Sequence, residues 1–523
     1  MTERQYRILA GCSFLLAFVP AFNYVMTHFF VTGGFFLDSA RVAWLLGHST
    51  SWPLADVPMM FWQGPYNNVH IVPFFLFTSA LFQALTRLFG DLHDTVYFAL
   101  FNGVASGLIA WALFSMLAGG VYRLTRTYFI AALILGVVAV HNGAVLLMCS
   151  RPHYEIGIVA LMVLFFKLFI DGRSIAALVS LTGALLLQEW VGFQMFLLLA
   201  PLVVIMALHR GDDAFKRRAM VLALFSFGCL VYAMLATGYH LLAFAGVREW
   251  RNLYQGDPAW AHLTDAFIRE RLVFYYQFRA CLWAPAGMIL VYAAARRDMV
   301  QLCGLLAFLP WALLTMAAVN TDIGIMHAYF AAPAVFVIVW PIVANALNRE
   351  LALKDVSGWF AGWGFPALVI LASLVTWSGM DGHSLDPQPW RNFGFGWYGN
   401  VDRNITGVKA FMNANSELSY FADDPSASLD NENFTVDHWL LGKYWELQKP
   451  DFPYAELKDY DTLVMLPAYL YQKKEILKVI NGLQLHFVCR VDDTDFLAYS
   501  RRRDLKHCTP IQSAPRVPLA PTR

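Results

Sequence analysis

The chain contains 523 residues, of which 58% are hydrophobic and 14% are charged, and its formal net charge is +1. Soluble domains carry about 25% charged residues, so this composition is typical of a protein with many membrane-spanning helices. A balanced charge without a basic domain or a nucleic-acid-binding motif argues against a nucleic-acid partner.

Apolar runs of about 20 residues, the length that crosses a hydrocarbon core of about 30 Å, recur along most of the chain. They predict about eleven spans, at residues 8–31, 95–118, 128–148, 157–170, 174–188, 190–208, 219–245, 281–295, 299–319, 328–347 and 359–378. The first run is longer than the apolar part of a cleaved signal peptide, so we expect a signal anchor. Residues 174–208 are almost continuously apolar and predict a hairpin that turns at Gln188 and Glu189.

The basic residues of the short loops predict the orientation, because cytoplasmic loops are enriched in Lys and Arg. With Arg4 and Arg7 inside, alternation of the spans places every basic short loop on the same side and the C-terminus outside. Residues 70–89 are apolar enough to span, but a span there would put the basic loop 209–218 outside. We therefore predict a re-entrant or interfacial helix at 70–89, with a full span as the alternative.

This orientation gathers polar and ionisable residues on the outer face. The outer loop 33–94 contains Asp38, Asn68 and His70, and the next outer loop contains Arg151, His153 and Glu155. The hairpin contributes Glu189, and a later outer loop contributes Asp322 and His327. A long outer loop at 247–279 adds Arg248, Arg251 and several aromatic residues. Such groups are costly at membrane depth and are candidates for a functional site.

Each candidate also has a purely structural explanation. Asp38 is suited to cap a helix that starts at Ser39, and Arg151 with Glu155 is suited to close a polar turn. The acids and histidines include possible ligands of a divalent cation, but no pair has the spacing of a helical metal motif, so no metal ligand is assigned. No P-loop or Rossmann glycine motif occurs, and no nucleotide cofactor is expected.

The composition becomes polar after Trp377, and residues 379–508 predict a small extracytoplasmic α/β domain. Residues 462–466 and 485–488 predict strands, residues 408–414 and 472–480 predict helices, and residues 509–523 predict a disordered tail. Cys489 and Cys508 are able to pair if this domain lies outside the cytosol, and the sequence leaves that pairing open.

The layout of these motifs resembles the GT-C superfamily of polytopic membrane glycosyltransferases, which use sugars linked to polyprenyl phosphate. The first outer loop carries an acid just after the first span, in FFLDSARVAWLLGHS, and NNVHIVPFF leads into an apolar helix. A second outer loop contains RPHYEIG, and a later hairpin contains LLLQEWVG. The resemblance covers about residues 8–350 and is greater to uncharacterised bacterial members. The chain departs from better-known members in having His153 and Glu155 where many carry an Asp, and in lacking a PPL-type motif.

The resemblance implies transfer of a sugar from a polyprenyl-phosphate donor to a lipid, glycan or protein acceptor at the outer face of a bacterial inner membrane. We expect Asp38 to be the general base, with Glu155 and Glu189 as further catalytic acids that orient the acceptor or support Asp38. The residues expected to bind substrate are Arg151, His153, His70, Asn68, His327 and Asp322. The alternatives are a transporter or flippase of a lipid-linked or small polar solute, and an inactive scaffold of the same fold.

Overall fold

The computed structural model describes part of the chain, and all other residues lie outside it. The described residues are 2–31, 74–89, 94–119, 126–140, 155–188, 190–209, 211–244, 258, 260–278, 280–317, 331–354, 360–375, 407–408, 410–418, 420–422, 462–465, 485, 487–494 and 496–511.

Helices dominate the described residues as far as Val375. They are α1 (Glu3–Val31), α2 (Phe75–Phe89), α3 (Asp94–Gly119), α4 (Arg126–Val140), α5 (Glu155–Ile170), α6 (Ser174–Leu187), α7 (Trp190–Leu208), α8 (Asp213–Phe244), α9 (Asp265–Phe278), α10 (Ala280–Arg296), α11 (Met299–Ala317), α12 (Ala331–Glu350) and α13 (Phe365–Val375). A π-helical turn, Phe360–Gly364, precedes α13.

Four helical stretches among the described residues are long and apolar enough to cross a membrane. They are Glu3–Asn23, Ala99–Gly119, Val191–Leu208 and Asp213–Gly238. Other apolar helices, such as Ser174–Leu187, are shorter. The protein is therefore mainly helical with four candidate membrane-spanning helices, and the count of about eleven spans stays a prediction.

Two helices differ from the sequence-based expectation. The helix α8 begins before the predicted span at 219, because the Asp212 carboxylate accepts the Phe215 N–H at 2.8 Å and caps the helix there. The helix α9 lies inside the predicted outer loop 247–279, where no helix was expected. Its N-terminus is capped by Thr264, whose hydroxyl accepts the Phe267 N–H at 3.3 Å.

The helices α1 and α3 pack antiparallel through glycines on α3. A Cβ atom on Gly107 would lie 2.6 Å from the Phe14 ring, and one on Gly103 would lie 2.9 Å from the Phe18 ring. Small residues four apart let two helices approach closely in a membrane, so these glycines create the space that the two rings fill.

The helices α5 and α6 form a hairpin whose turn contains Gly172 in the left-handed region, with φ of 75°. The Ser180 hydroxyl donates to the Leu161 carbonyl at 2.8 Å across the pair. At the other end of the hairpin, Gly157 lies against Phe101 of α3 and Leu187 at the end of α6. The start of α5, the first part of α3 and the end of α6 therefore lie together.

The helix α12 is central and antiparallel to α11. Trp340 is fully buried, and its indole N–H lies 3.2 Å from the Val300 carbonyl and 3.0 Å from the Gln301 carbonyl. At the C-terminal end of α12, Arg349 donates to the Met116 carbonyl of α3 at 2.8 Å. The start of α11 and the ends of α3 and α12 therefore share one end of the bundle.

The C-terminal residues form a five-stranded sheet of order β1-β2-β4-β3-β5. The strands are β1 (Tyr420–Ala422), β2 (Thr462–Met465), β3 (Phe487–Val491), β4 (Leu497–Ser500) and β5 (Cys508–Pro510). The pair β1–β2 is parallel and the other neighbours are antiparallel. The central strand β4 is buried along its whole length.

The small C-terminal sheet is present, and the wider α/β domain at 379–508 stays a prediction. The strand predicted at 462–466 is confirmed, the strand predicted at 485–488 begins instead at Phe487, and the described residues of 408–414 are helical. The helix predicted at 472–480 lies outside the described residues. Cys489 and Cys508 form a disulfide with a Cα–Cα distance of 5.5 Å.

The predicted start of the disordered tail at 509 is wrong. The strand β5 includes residue 509 and pairs with β3, and the Ile511 N–H donates to the Val488 carbonyl at 3.1 Å. The disulfide holds this segment against β3, so the ordered domain continues at least to Ile511.

Candidate functional site

Each described connection between helices lies at one of the two ends of the helix bundle. One end, which we call the basic end, is formed by the starts of α1, α4, α8 and α11, the ends of α3, α10 and α12, and the α5–α6 turn. The contacts between Arg349 and Met116, and between Arg218 and Gly172, join these elements. The described basic residues in its connections are Arg4, Arg7, Arg126, Arg173, Lys216, Arg217, Arg218, Arg296, Arg297, Arg349 and Lys354.

The opposite end, which we call the site end, is formed by the described helix ends that flank the predicted site residues along the chain. Residues Asp38, Asn68, His70, Arg151, His153, Glu189, Asp322 and His327 lie outside the described residues, as do Arg248 and Arg251. Glu155 is the first residue of α5, and its side chain lies outside the described part. The structure therefore places the helix ends that flank these residues rather than the side chains.

Those flanking helix ends meet at the site end. The Phe74 N–H, just before α2, donates to the Leu186 carbonyl at 3.2 Å, so α2 begins beside the end of α6. The start of α5 lies against Leu187 through Gly157, so it adjoins the end of α6 as well.

The remaining flanking ends follow from helix direction. Because α1 is antiparallel to α3, its last residue, Val31, points toward the site end. Because α11 starts at the basic end, Ala317 and the start of α12 at Ala331 lie at the site end, on either side of residues 318–330.

The break between α6 and α7 falls at Gln188 and Glu189, where the sequence predicted a turn. Gln188 is buried with an extended backbone, and its carbonyl accepts the Val191 N–H at 3.2 Å. The Tyr232 hydroxyl of α8 donates to the Leu185 carbonyl at 2.6 Å. In the sequence, Glu189 therefore directly follows a buried residue whose backbone carbonyl is hydrogen-bonded.

The helix α2 lies at this end of the bundle along its described length. Its first turn begins beside Leu186, and its last turns pack on the first turn of α3. There Phe82 contacts the buried Tyr97 with ring centroids 4.8 Å apart, and Thr86 hydrogen-bonds the Tyr97 hydroxyl. With both ends beside site-end residues, α2 does not run the length of the bundle.

A cluster that sequence reasoning missed also lies at the site end, around Phe267 of α9. His262 approaches the Phe267 ring edge-on at 4.9 Å, and the guanidinium carbon of Arg271 lies 4.9 Å from the same ring centroid. His262 Nε2 lies 2.7 Å from the carbonyl of Ala317, the last residue of α11. Arg271 is only 3% exposed. The spacing of Phe267 and Arg271 by four residues was the available signal.

A second polar cluster occupies the basic end. The Asp298 carboxylate accepts the N–H groups of Val300 and Gln301, at 3.1 and 3.3 Å, and the Asn348 amide at 2.8 Å. Gln301 in turn donates to Asn345 at 3.0 Å. These buried bonds cap α11 and join it to α12, which is a structural role.

In the described residues, no three His, Cys, Asp or Glu side chains lie close enough together to hold a metal ion. The comparison with models of known protein families gives no match, and the comparison with curated protein sequences gives none.

Proposed function

We propose that this protein is a membrane glycosyltransferase of the GT-C type, which moves a sugar from a polyprenyl-phosphate donor to an acceptor hydroxyl at the site end. The observation that carries the proposal is that the helix ends flanking Asp38, His70, Arg151, Glu189 and the other candidates meet at one end of an apolar bundle. A lipid donor reaches such a site from the bilayer while its phosphate stays at the interface.

The proposed orientation puts the basic end in the cytosol, because Lys and Arg are enriched in cytoplasmic loops. The site end then faces outward, with α2 and α9 at the outer surface and eleven helices, α1, α3 to α8 and α10 to α13, crossing a bacterial inner membrane. The Cys489–Cys508 disulfide supports an extracytoplasmic sheet, since disulfides persist in oxidising compartments.

In the proposed reaction the acceptor hydroxyl oxygen attacks the anomeric carbon of the sugar. Asp38 takes the hydroxyl proton, and the bond from the anomeric carbon to the phosphate oxygen breaks, so that its electron pair leaves with the lipid phosphate. Arg151 and His327 stabilise the growing negative charge on the phosphate. Glu155 and Glu189 orient the acceptor, and the remaining substrate-binding candidates are His70, Asn68, His153 and Asp322.

The test is transfer of radiolabelled sugar from polyprenyl-phosphate donors to membrane acceptors by the purified, reconstituted protein. General-base catalysis typically contributes about 10²–10⁴-fold, so Asp38→Asn is expected to reduce the turnover rate by that factor. The matched control is Asp213→Asn at the basic end, where the side chain is 91% exposed, and it is expected to keep wild-type activity.

Full activity in Asp38→Asn would contradict the assignment of the base. If the well-folded wild type transfers sugar from no donor but moves a lipid-linked or polar solute across vesicles, the transporter replaces the enzyme. Arg151→Ala is expected to raise the KM for the donor more than that for the acceptor, and the reverse would remove Arg151 from the phosphate site.

A further inference from the structure

Two amide oxygens at the basic end are buried without a hydrogen-bond donor. Gln301 and Asn348 are fully buried, and neither Gln301 Oε1 nor Asn348 Oδ1 has a hydrogen-bond partner among the described residues. The amide nitrogens of the same side chains are engaged, since Gln301 donates to Asn345 at 3.0 Å and Asn348 donates to Asp298 at 2.8 Å. Buried polar atoms are nearly always paired, so the two oxygens indicate a missing partner.

A buried carboxylate belongs to the same network. Asp298 is 3% exposed, and it accepts two backbone N–H groups of α11 through one oxygen and the Asn348 amide through the other. In the described part of the chain no Lys, Arg or His side chain forms an ion pair with Asp298, and the adjacent Arg296 and Arg297 are exposed. The N-terminus of α11 carries only a partial positive charge, so this buried negative charge requires a further cation.

The free oxygens and the carboxylate border one space between α11 and α12. The Asn348 oxygen belongs to the amide whose nitrogen lies 2.8 Å from the Asp298 carboxylate. Gln301 follows Asp298 by three residues, and Asn345 precedes Asn348 by three residues. Side chains three residues apart on a helix are neighbours, so these hydrogen bonds hold the oxygen-bearing groups together.

We propose that Asp298, Gln301 and Asn348 bind a monovalent alkali cation, Na⁺ or K⁺. Hard cations take oxygen ligands from carboxylates and side-chain amides, which are the groups present. One positive charge balances the single carboxylate, whereas a divalent ion would leave an excess of buried charge. A buried water molecule is able to donate to both amide oxygens, but it leaves the charge of Asp298 unbalanced.

The bound cation joins three elements at the basic end. The network connects α11 to α12, and the Asn345 amide extends it to the Ala361 carbonyl at 2.7 Å and the Gly362 carbonyl at 3.4 Å. Both carbonyls belong to the π-helical turn before α13. The site lies at the end of the bundle away from the site end, so it does not depend on the proposed function.

The experiment measures thermal unfolding of the full-length protein in detergent. N-methyl-D-glucamine chloride is replaced stepwise by NaCl or KCl at constant ionic strength, and CaCl₂ and MgCl₂ at matched ionic strength test the charge of the ion. A ligand that binds only the native state raises stability with the logarithm of its concentration above the dissociation constant. The unfolding temperature of wild type is therefore expected to rise with Na⁺ or K⁺.

The variants separate cation binding from folding. Asp298→Asn removes the charge but keeps a favoured N-cap residue for α11, and it is expected to abolish the rise. Gln301→Met removes one oxygen ligand at nearly constant size, so the cation concentration needed for the same rise is expected to increase about 10- to 100-fold. Asp213→Asn removes an acid whose side chain is 91% exposed and is expected to respond as wild type. Unfolding in N-methyl-D-glucamine alone reports the effect of each substitution on the fold itself.

Equal unfolding temperatures of wild type in all the monovalent salts would overturn the site and leave water as the partner of the amide oxygens. An undiminished rise in Asp298→Asn would also overturn it, and if that variant does not fold, an unchanged cation response in Gln301→Met has the same meaning. Greater stabilisation by Ca²⁺ or Mg²⁺ than by Na⁺ or K⁺ at equal concentration would overturn the monovalent ion. Sugar transfer is not part of this measurement, so the cation site and the glycosyltransferase proposal can fail separately.

Discussion

The contact between Gly304 and Trp340 predicts a large effect of one added methyl group. A Cβ atom on Gly304 would lie 2.4 Å from Cγ and Cδ1 of the Trp340 ring, whereas carbon atoms in contact are normally about 3.5–4.0 Å apart. The ring must therefore move by about 1 Å. Because Trp340 is fully buried and its indole N–H is bound to carbonyls of α11, that movement also removes hydrogen bonds.

The free energy of unfolding should fall accordingly in Gly304→Ala. Overpacking costs about 1–3 kcal/mol and an unpaired buried N–H about 1–3 kcal/mol, while alanine gains up to about 1 kcal/mol over glycine in a helix. We expect a net loss of about 2–4 kcal/mol. The matched control is Gly287→Ala on α10, where an added Cβ meets no atom within 4 Å and stability should stay equal or rise slightly.

The measurement is the thermal unfolding of the purified protein in detergent, followed by the loss of the monodisperse peak in size-exclusion chromatography. Gly304→Ala should unfold well below wild type, and Gly287→Ala at or above it. Equal unfolding temperatures for all three proteins would show that α11 does not pack on α12 through Gly304 as described.

Three further predictions concern stability. Asp298→Ala removes the cap of α11 and leaves a buried amide unpaired, so a loss of about 2–4 kcal/mol is expected in the same assay. Replacing Cys489 and Cys508 by serine opens a loop with a sequence separation of 19 and should cost the sheet about 3 kcal/mol, measured by unfolding with and without reductant. The hydrogen bond from Arg502 lowers the pKa of the Asp504 carboxyl below 3.8. The charged Asp504 carboxylate therefore stabilises the fold slightly above its ordinary pKa, and this stabilisation is lost as the pH falls through the lowered pKa. Arg502→Gln should reduce this pH dependence in acid unfolding, because the backbone hydrogen bond of Asp504 remains.

Sequence periodicity predicted those elements whose residues repeat a local pattern. The apolar runs predicted most helices near their observed ends, and the short apolar run at 462–466 predicted β2. The helix α9 was missed because its face is mixed, with Arg269, Glu270 and Arg271 interrupting the apolar pattern. Local composition does not reveal that Arg271 becomes buried when α9 packs on its neighbours.

The sequence predicted the site only as a set of residues on one side. Alternation of basic loops predicted which connections share a side, and that arrangement stays a prediction. Hydrogen bonds between residues far apart in the sequence, such as His262 with Ala317 and Asp298 with Asn348, depend on helix packing. No local sequence pattern encodes that packing. The disulfide was left open for the same reason, since a cysteine pair is defined by strand register.

The bond from Arg349 to the Met116 carbonyl joins residues 233 positions apart. At a synthesis rate of about 5–20 residues per second, the end of α3 waits about 10–50 s before its partner is made. During that interval the carbonyl needs a substitute hydrogen-bond partner, such as water. Folding of this chain therefore includes a late closing step, in which the helix that carries Arg349 attaches to a helix made much earlier.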